Sequence, residues 1–308
     1  MWEEAERITF LGAEMYAYGL FCALGALCAL IALYKVAPRG TAPLAGLCGL
    51  VCGFVLSRLL DCLLDQSMGE MMPFRGWFMV SGGGYSMFGA ILGAGAGAAL
   101  AGKMMKESAG KMLDALAVSI LLFVFLARIG EQFIPDFGVS RTLGGEWTES
   151  TFLVLSDGYG GVLRTYRLEA AAALILFGIL LADWRAKRRP GDTALLFLLL
   201  FGAVQVLMES LRYDRHISVS FVGLQHVMAM AMLGAGVIVL AVRGMKEQKP
   251  LAVAALISVP LAVGIGVGLE FMIDRTTVSN ALIYALMILT VGTPAVLGIV
   301  LRKGQSHG

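Results

Sequence analysis

Val80–Leu100 reads VSGGGYSMFGAILGAGAGAAL. The stretch is apolar enough to enter a bilayer, yet seven of its twenty-one residues are glycine. Glycine weakens a helix, so a span built this way must bring its backbone close to something. Two sets of glycines separate. Gly89, Gly93 and Gly97 follow small-xxx-small spacing, which lets two membrane helices touch. Gly82–Gly84 come before them and suit an unwound backbone whose N–H groups favour an anion at a helix start. Such backbone is tolerated at membrane depth where it lines a polar cavity.

The chain around it has 308 residues, of which 58% are hydrophobic and 15% charged. Its mean hydropathy is +0.80, well outside soluble usage. Continuous apolar runs long enough to cross a hydrocarbon core of roughly 30 Å recur from end to end. The fold class is therefore all-α, a polytopic membrane protein. A β-barrel is excluded because the runs do not alternate. The five cysteines, Cys22, Cys28, Cys48, Cys52 and Cys62, all fall in the first two runs and read as small buried hydrophobes. Met1–Arg7 is acidic, so no cleavable signal peptide is expected.

Nine runs predict helices over roughly Phe10–Tyr34, Pro43–Leu64, Phe78–Gly102, Met112–Gly130, Leu168–Trp184, Ala194–Leu211, Val219–Val242, Leu251–Met272 and Asn280–Leu301. Basic clusters follow every second one: Lys35 and Arg39, Lys103 to Lys111, the RAKRRP of Arg185–Pro190, Arg243 to Lys249, and Arg302 with Lys303. The other connections are acidic or mixed. Positive loops stay cytoplasmic, which predicts an outer N-terminus, an inner C-terminus and an odd number of spans. The longest connection, residues 135–167, lies outside on this reading. It contains several glycines and the β-prone TFLVL of Thr151–Leu155; connections of this length are often functional.

Ionisable groups inside spans are costly and mark function. With Asp114 at the inner start of the fourth run as the exception, they gather toward one side: Glu14 in the first run, Arg58 and Asp61 in the second, Arg128 and Glu131 ending the fourth. Glu169 opens the fifth, Glu209 and Arg212 end the sixth, and His226 enters the seventh. Both signs are present, which points to a polar chamber open to the outer leaflet. Arg58, Arg128 and Arg212 could together hold an anion, because guanidinium forks suit phosphate. Glu169 and Glu209 could orient them or act as base. Gln205, Glu209 and Arg212 share one helix face by spacing.

The order of these segments resembles the prolipoprotein diacylglyceryl transferase family over about Phe10–Val242. YAYGLFCALG resembles its Tyr-Gly-Leu opening and places Tyr18; SRLLD places Arg58. GGGYSMFGAILG resembles its glycine-rich loop and places Gly83, Gly84, Tyr85 and Ser86. LARIG resembles the start of its Gly-Arg-Ile-Gly-Asn signature and places Arg128; YRLEA places Glu169. LMESLRYD places Glu209 and Arg212, with Gln205 one turn earlier, and FVGLQHVMAM places the region of Gln225 and His226. The resemblance implies transfer of a diacylglyceryl group from phosphatidylglycerol to the lipobox cysteine of a prolipoprotein. The reaction forms a thioether and releases glycerol phosphate, with no metal or other cofactor. It implies Arg128, Glu209, Arg212 and Tyr85 as catalytic. Tyr18, Arg58, Gly83, Gly84, Ser86, Glu169, Gln205 and His226 would bind substrate. The partners would be membrane lipids and the lipobox peptide, not nucleic acid, at a bacterial plasma membrane.

Three positions depart from the family pattern. Its loop histidine falls on Phe88, its signature asparagine on Glu131, and an arginine before Glu209 on Gln205. His226 or Tyr85 could take over proton handling. The expected organisation is a seven-helix core over 1–242, with two additional helices over 243–308. Two other readings fit the same residues: a paralogous lipid transferase with another acceptor, and a non-catalytic lipid-binding protein or transporter with glycine-broken helices.

Overall fold

The computed structural model describes residues 6–10, 13–67, 84–135, 137–143, 149–156, 160–213, 218–219 and 222–305. Among these are nine helices long and apolar enough to cross a membrane. They are α1 (Ala17–Val36), α2 (Ala42–Ser67), α3 (Met87–Met104), α4 (Ala109–Gly130), α5 (Thr165–Arg185), α6 (Asp192–Leu211), α7 (Leu224–Gly244), α8 (Lys249–Arg275) and α9 (Asn280–Gly304). The chain is a multi-pass, all-α membrane protein.

Three predicted helix starts move by more than one turn. The first run does not start a helix at Phe10. Strands β1 (Arg7–Phe10) and β2 (Ala13–Tyr16) pair antiparallel before α1, with Arg7 opposite Tyr16 and Ile8 opposite Met15. Ile8, Thr9 and Phe10 are β-branched or aromatic and fit a strand as well as a span. The third helix starts at Met87 rather than Phe78, because Ser86 caps it: its Oγ accepts the Gly89 N–H at 3.3 Å. Residues 78–83 lie outside the described residues. The seventh starts at Leu224 rather than Val219, after the short pair β6 (Ser218–Val219) and β7 (Val222–Gly223).

The long connection after α4 forms a three-stranded antiparallel sheet, with β3 (Val139–Leu143) and β4 (Val154–Ser156) flanking β5 (Gly161–Arg164). β4 falls within the β-prone TFLVL and the residue after it.

The chain divides into two compact units. The first holds residues 1–186 and 212–217, the second 187–211 and 218–308. In the first unit α2 packs on α3 and α1 on α4. A cluster of Leu33, Ala45, Ala98, Ala101, Met112 and Ala115 forms part of its core. The α3 glycines answer the question their sequence raised. Gly89 faces the backbone of Leu56 and Ser57, Gly93 that of Cys52 and Gly53, and Gly97 that of Cys48 and Gly49. The two helices run antiparallel in steps of one turn, with no side chain between the backbones. The second unit is built from α6 to α9. Its α6–α7 contact has the same character at Gly202, which sits against Ala229 and Leu233. Leu269, Ile273, Ile283 and Met287 pack between α8 and α9.

Candidate functional site

In the first unit a buried cluster of four charges forms where α4 ends and α5 begins. Arg128 occupies the last turn of α4 and Glu131 the 3-10 turn that follows. Glu169 lies in the second turn of α5 and is 1% exposed. Arg212 follows directly after α6. Its backbone is fixed to the connection sheet: it bridges Ser140 of β3, and the next residue, Tyr213, donates its N–H to the Val139 carbonyl at 2.9 Å.

The four side chains interlock. The Arg128 Nε lies 2.8 Å from Glu169 Oε2, and its Nη1 contacts Glu131 Oε1. Arg212 Nη1 reaches Glu169 Oε1 at 2.8 Å and Glu131 Oε2 at 3.4 Å. Each carboxylate is thus shared between both guanidiniums, and the formal charges cancel. Arg212 also lies over the Phe137 ring, 5.1 Å from its centroid. A buried arginine is always charged, so this balance is what keeps it tolerable away from water.

Gly138 makes the arrangement possible. It adopts φ +67, and a Cβ there would stand 2.6 Å from Glu131 Oε2 and 3.0 Å from the Tyr166 Cβ. Its carbonyl accepts the Thr165 hydroxyl at 2.6 Å. A Gly138→Ala variant should lose about 1–2 kcal/mol from the left-handed backbone alone. It should also displace Glu131, so the thermal midpoint is expected to fall by more than the backbone cost alone accounts for. A variant that melts like the wild type would show that Gly138 does not hold the Glu131 position.

Beside the cluster lies a cavity of 630 Å³ bounded by α1 to α4. Its two ends differ. Tyr16, Tyr18, Ser57, Tyr85, Ser86, Arg128 and Glu131 line one end; Leu33, Ala45 and Leu116 line the other, with Gly46, Gly49, Gly53, Ala90 and Ala94 along the wall. A chamber with a charged end and an apolar body has the polarity of a lipid.

Arg58 joins a second group at the polar end of α2. It donates to the Gly84 carbonyl at 2.7 Å, pairs with Asp61 at 3.8 Å, and lies 5.6 Å from the Tyr85 ring centroid. Gly84 takes φ +76, and a Cβ there would collide with both Arg58 and Asp61. Burial pushes the Tyr85 phenol above its ordinary value; Arg58 opposes the shift, and Asp61 and Cys62 add to it. A phenol held protonated serves as a hydrogen-bond donor, not a base. Phe88 is 1% exposed in the core of α3.

Of the arginines expected to act together, Arg128 and Arg212 meet at Glu131 and Glu169, while Arg58 pairs with Asp61; Glu209, expected to orient them, belongs to the second unit, and Glu131 was expected only as a charge and a departure from the family pattern. The structure sets Arg58 with Gly84 and Tyr85. Tyr18 lines the cavity, and Gly83 lies outside the described residues.

Gln205, Glu209 and His226 belong to the second unit. Glu209 is buried at the end of α6, and the Gln225 amide, turned to donate, contacts both of its carboxylate oxygens. Gln205 is buried one turn earlier. On α7, His226 Nε2 stands 3.1 Å from Glu270 Oε1 of α8. The Ser210 hydroxyl donates to that same oxygen, and the Tyr284 hydroxyl of α9 donates to the Ser210 carbonyl at 3.3 Å. Ser210 and Glu270 were not singled out as site residues. The signal for Glu270 was present, as a carboxylate inside an apolar run.

The family model described as prolipoprotein diacylglyceryl transferase matches residues 7–242. The chain belongs to the prolipoprotein diacylglyceryl transferase family. It is also similar to a phosphatidylglycerol–prolipoprotein diacylglyceryl transferase of Symbiobacterium thermophilum, with 27% identity over 168 residues. That alignment covers 52% of this chain and 60% of the relative's length. Residues 7–242 of the transferase family match take in α1 to α6 and all but the end of α7; α8 and α9 lie beyond it.

Proposed function

We propose that the chain transfers a diacylglyceryl group from phosphatidylglycerol to the cysteine thiol of a prolipoprotein lipobox, at the outer leaflet of a bacterial plasma membrane. One observation carries this reading: the cavity of 630 Å³ has an apolar body and ends at Arg128 of the buried charge cluster. A phospholipid would lay acyl chain along the small-residue wall and present its phosphate to the guanidiniums. In the reaction the cysteine sulfur forms a bond to the terminal glyceryl carbon. The bond from that carbon to the phosphate ester oxygen breaks, and glycerol phosphate departs with the electron pair. Charge grows on the phosphate as it leaves. Preorganised guanidiniums in a site that excludes water stabilise such charge strongly. Tyr85 and Ser86 line the same end of the cavity as donors for the ester or hydroxyl oxygens.

The alternation of basic and acidic connections supports an outer position for the polar end. On this reading residues 1–242 form the transferase core, and 243–308 add two helices to it. The position that the family fills with histidine is the buried Phe88, which moves no proton. That favours, as a second reading, a paralogous transferase with an acceptor other than a lipobox thiol.

Incubation with labelled phosphatidylglycerol and a cysteine-bearing lipobox peptide, followed by mass measurement, separates the two. The first reading expects the peptide to gain one diacylglyceryl group with release of glycerol phosphate. Lipid turnover that leaves the peptide unmodified, with label on another acceptor, would establish the second. Bound phosphatidylglycerol that is never turned over would rule out both.

A further inference from the structure

The chamber of the first unit has a floor. Along α1 its lining runs from Tyr18 to Leu33, a rise of about 22 Å, and along α4 from Arg128 to Leu116, about 18 Å. α1 packs chiefly on α4 and α2 on α3, which leaves the chamber between the two pairs. At the apolar end residues 37–41 are all that joins α1 to α2. A connection that short draws the two helices together. Leu33 of α1, Ala45 of α2, Ala98 of α3 and Met112 of α4 close there into one buried cluster, with Leu116 packed against it. The turn is itself hydrogen-bonded: the Thr41 hydroxyl donates to the Pro38 carbonyl at 2.7 Å, and the Ala37 N–H to the Leu33 carbonyl at 2.8 Å.

One side chain lies across the slot just short of that core. Leu30 reaches over to Gly46, where a Cβ would stand 2.6 Å from Leu30 Cδ2. Gly46 is tight against this flexible end alone; the next atom, Leu33 Cδ2, is 4.0 Å away. Nearer the polar end the wall has more room. A Cβ on Gly49 would meet only Ala94, at 3.8 Å or more. The slot is therefore walled by small residues along its length and stopped by leucines at its end.

We propose that this slot measures one acyl chain of the phospholipid, with Leu30, Leu33 and Leu116 as the stop. The inference rests on the transferase reading above, which puts the phosphate at the Arg128 end. With the headgroup fixed at one end and the floor at the other, chain length is what remains to be matched. One leaflet's share of a hydrocarbon core of roughly 30 Å is about 15 Å, so a chain of ordinary membrane length fills the slot. A shorter chain leaves a void at the leucines and forfeits their contacts. A much longer one cannot extend fully, and its phosphate stands off from the guanidiniums. Leu30 and Gly46 thus set specificity and take no part in the chemistry.

The test offers the full chain, in detergent, an equimolar mixture of dilauroyl, dimyristoyl, dipalmitoyl, distearoyl and dibehenoyl phosphatidylglycerol together with the lipobox peptide. Native mass spectrometry reads which lipids are bound, and the peptide mass reads which diacylglyceryl groups were transferred. The wild type is expected to select the middle of the series over its two ends. Gly46→Leu fills the floor and should shift selection toward dilauroyl. Leu30→Ala clears it and should shift selection toward distearoyl and dibehenoyl. A methylene gained or lost in an apolar pocket is worth about tenfold or more, so each variant should move the distearoyl-to-dimyristoyl ratio by at least that, in opposite directions. Gly95→Ala, which does not line the slot, should keep the wild-type profile. General loosening of the fold would lower all five lipids alike and leave the ratio where it was. Variants that keep the wild-type ratio, or a wild type that takes all five equally, would overturn the proposal, and modified peptide would show the transferase reading still standing. A wild type that binds no phosphatidylglycerol of any length would remove that reading and the measuring slot with it. Opposite shifts in bound lipid with no peptide modified would establish the slot and refute the lipobox acceptor.

Discussion

Arg212→Ala is expected to lose phosphatidylglycerol binding and transfer together, and to lower the thermal midpoint sharply. Arg212 pairs with Glu169 at 2.8 Å and with Glu131 at 3.4 Å, and the Arg128–Glu131–Glu169 remainder would carry a net negative charge. Removing one partner of a buried ion pair costs about 3–5 kcal/mol, because the charge left behind is neither solvated nor paired. Stability and function can be pulled apart by one further change. Arg212→Ala combined with Glu131→Gln restores neutrality, since Arg128 and Glu169 are then the charged pair left of the four. The double variant should recover most of the midpoint and none of the binding. Transfer should remain at least about 100-fold down, the scale on which a single preorganised stabiliser of developing charge acts. Arg212→Lys keeps the charge but loses the planar fork that reaches two carboxylates at once, and should fall between. Melting followed in detergent, beside binding to phosphatidylglycerol nanodiscs, decides the matter. A double variant as unstable as the single one would show that charge balance does not hold the cluster. Normal phospholipid binding by Arg212→Ala would show that the phosphate sits elsewhere.

The membrane-spanning helices were legible because a span is a local property: about twenty apolar residues suffice, whatever they pack against. The boundaries failed where another local pattern overlapped the apolar one. Ile8–Phe10 satisfy both a strand and a span, and only pairing of β1 with β2 decides between them. Arg128, Glu169 and Arg212 were visible because charge inside an apolar run is rare and because the order of motifs resembled a known family. Glu131 was visible as a charge but its role was not. Its partner Arg212 is 81 residues away in sequence, and nothing local says that the strand β3 will hold Arg212 in place. The same applies with more force to His226 and Glu270. They lie on separate helices, and Glu270 sits in a segment where no motif gave guidance. The α3 glycines announced a close approach, but not that the Cys48, Cys52 and Leu56 backbones would be what they approached.

That close approach makes a second large effect predictable, and it has an unusual sign. Alanine is the better helix former, by about 1 kcal/mol over glycine, so propensity alone expects Gly→Ala to stabilise anywhere inside α3. Gly95 meets that expectation: a Cβ there would find only the Leu113 Cδ2, at 3.8 Å. Gly95→Ala should therefore raise the midpoint slightly or leave it unchanged. Gly93, two residues earlier, should do the opposite. A Cβ there would run into the Cys52 carbonyl and stand 2.8 Å from the Gly53 Cα. Both obstacles are backbone, so no rotamer change relieves them and α2 must move away from α3. Overpacking of this kind costs about 1–3 kcal/mol, and Gly93→Leu should exceed that range. The displacement would also reach the site, because Gly49 and Gly53 of α2 and Ala90 and Ala94 of α3 form the cavity wall. Gly93→Ala is thus expected to reduce transfer, as Gly95→Ala is not. The paired substitutions need only melting curves and one rate each. If Gly93→Ala stabilises as much as Gly95→Ala, the backbones of α2 and α3 do not touch, and the wall of the proposed lipid chamber is not built in the way described.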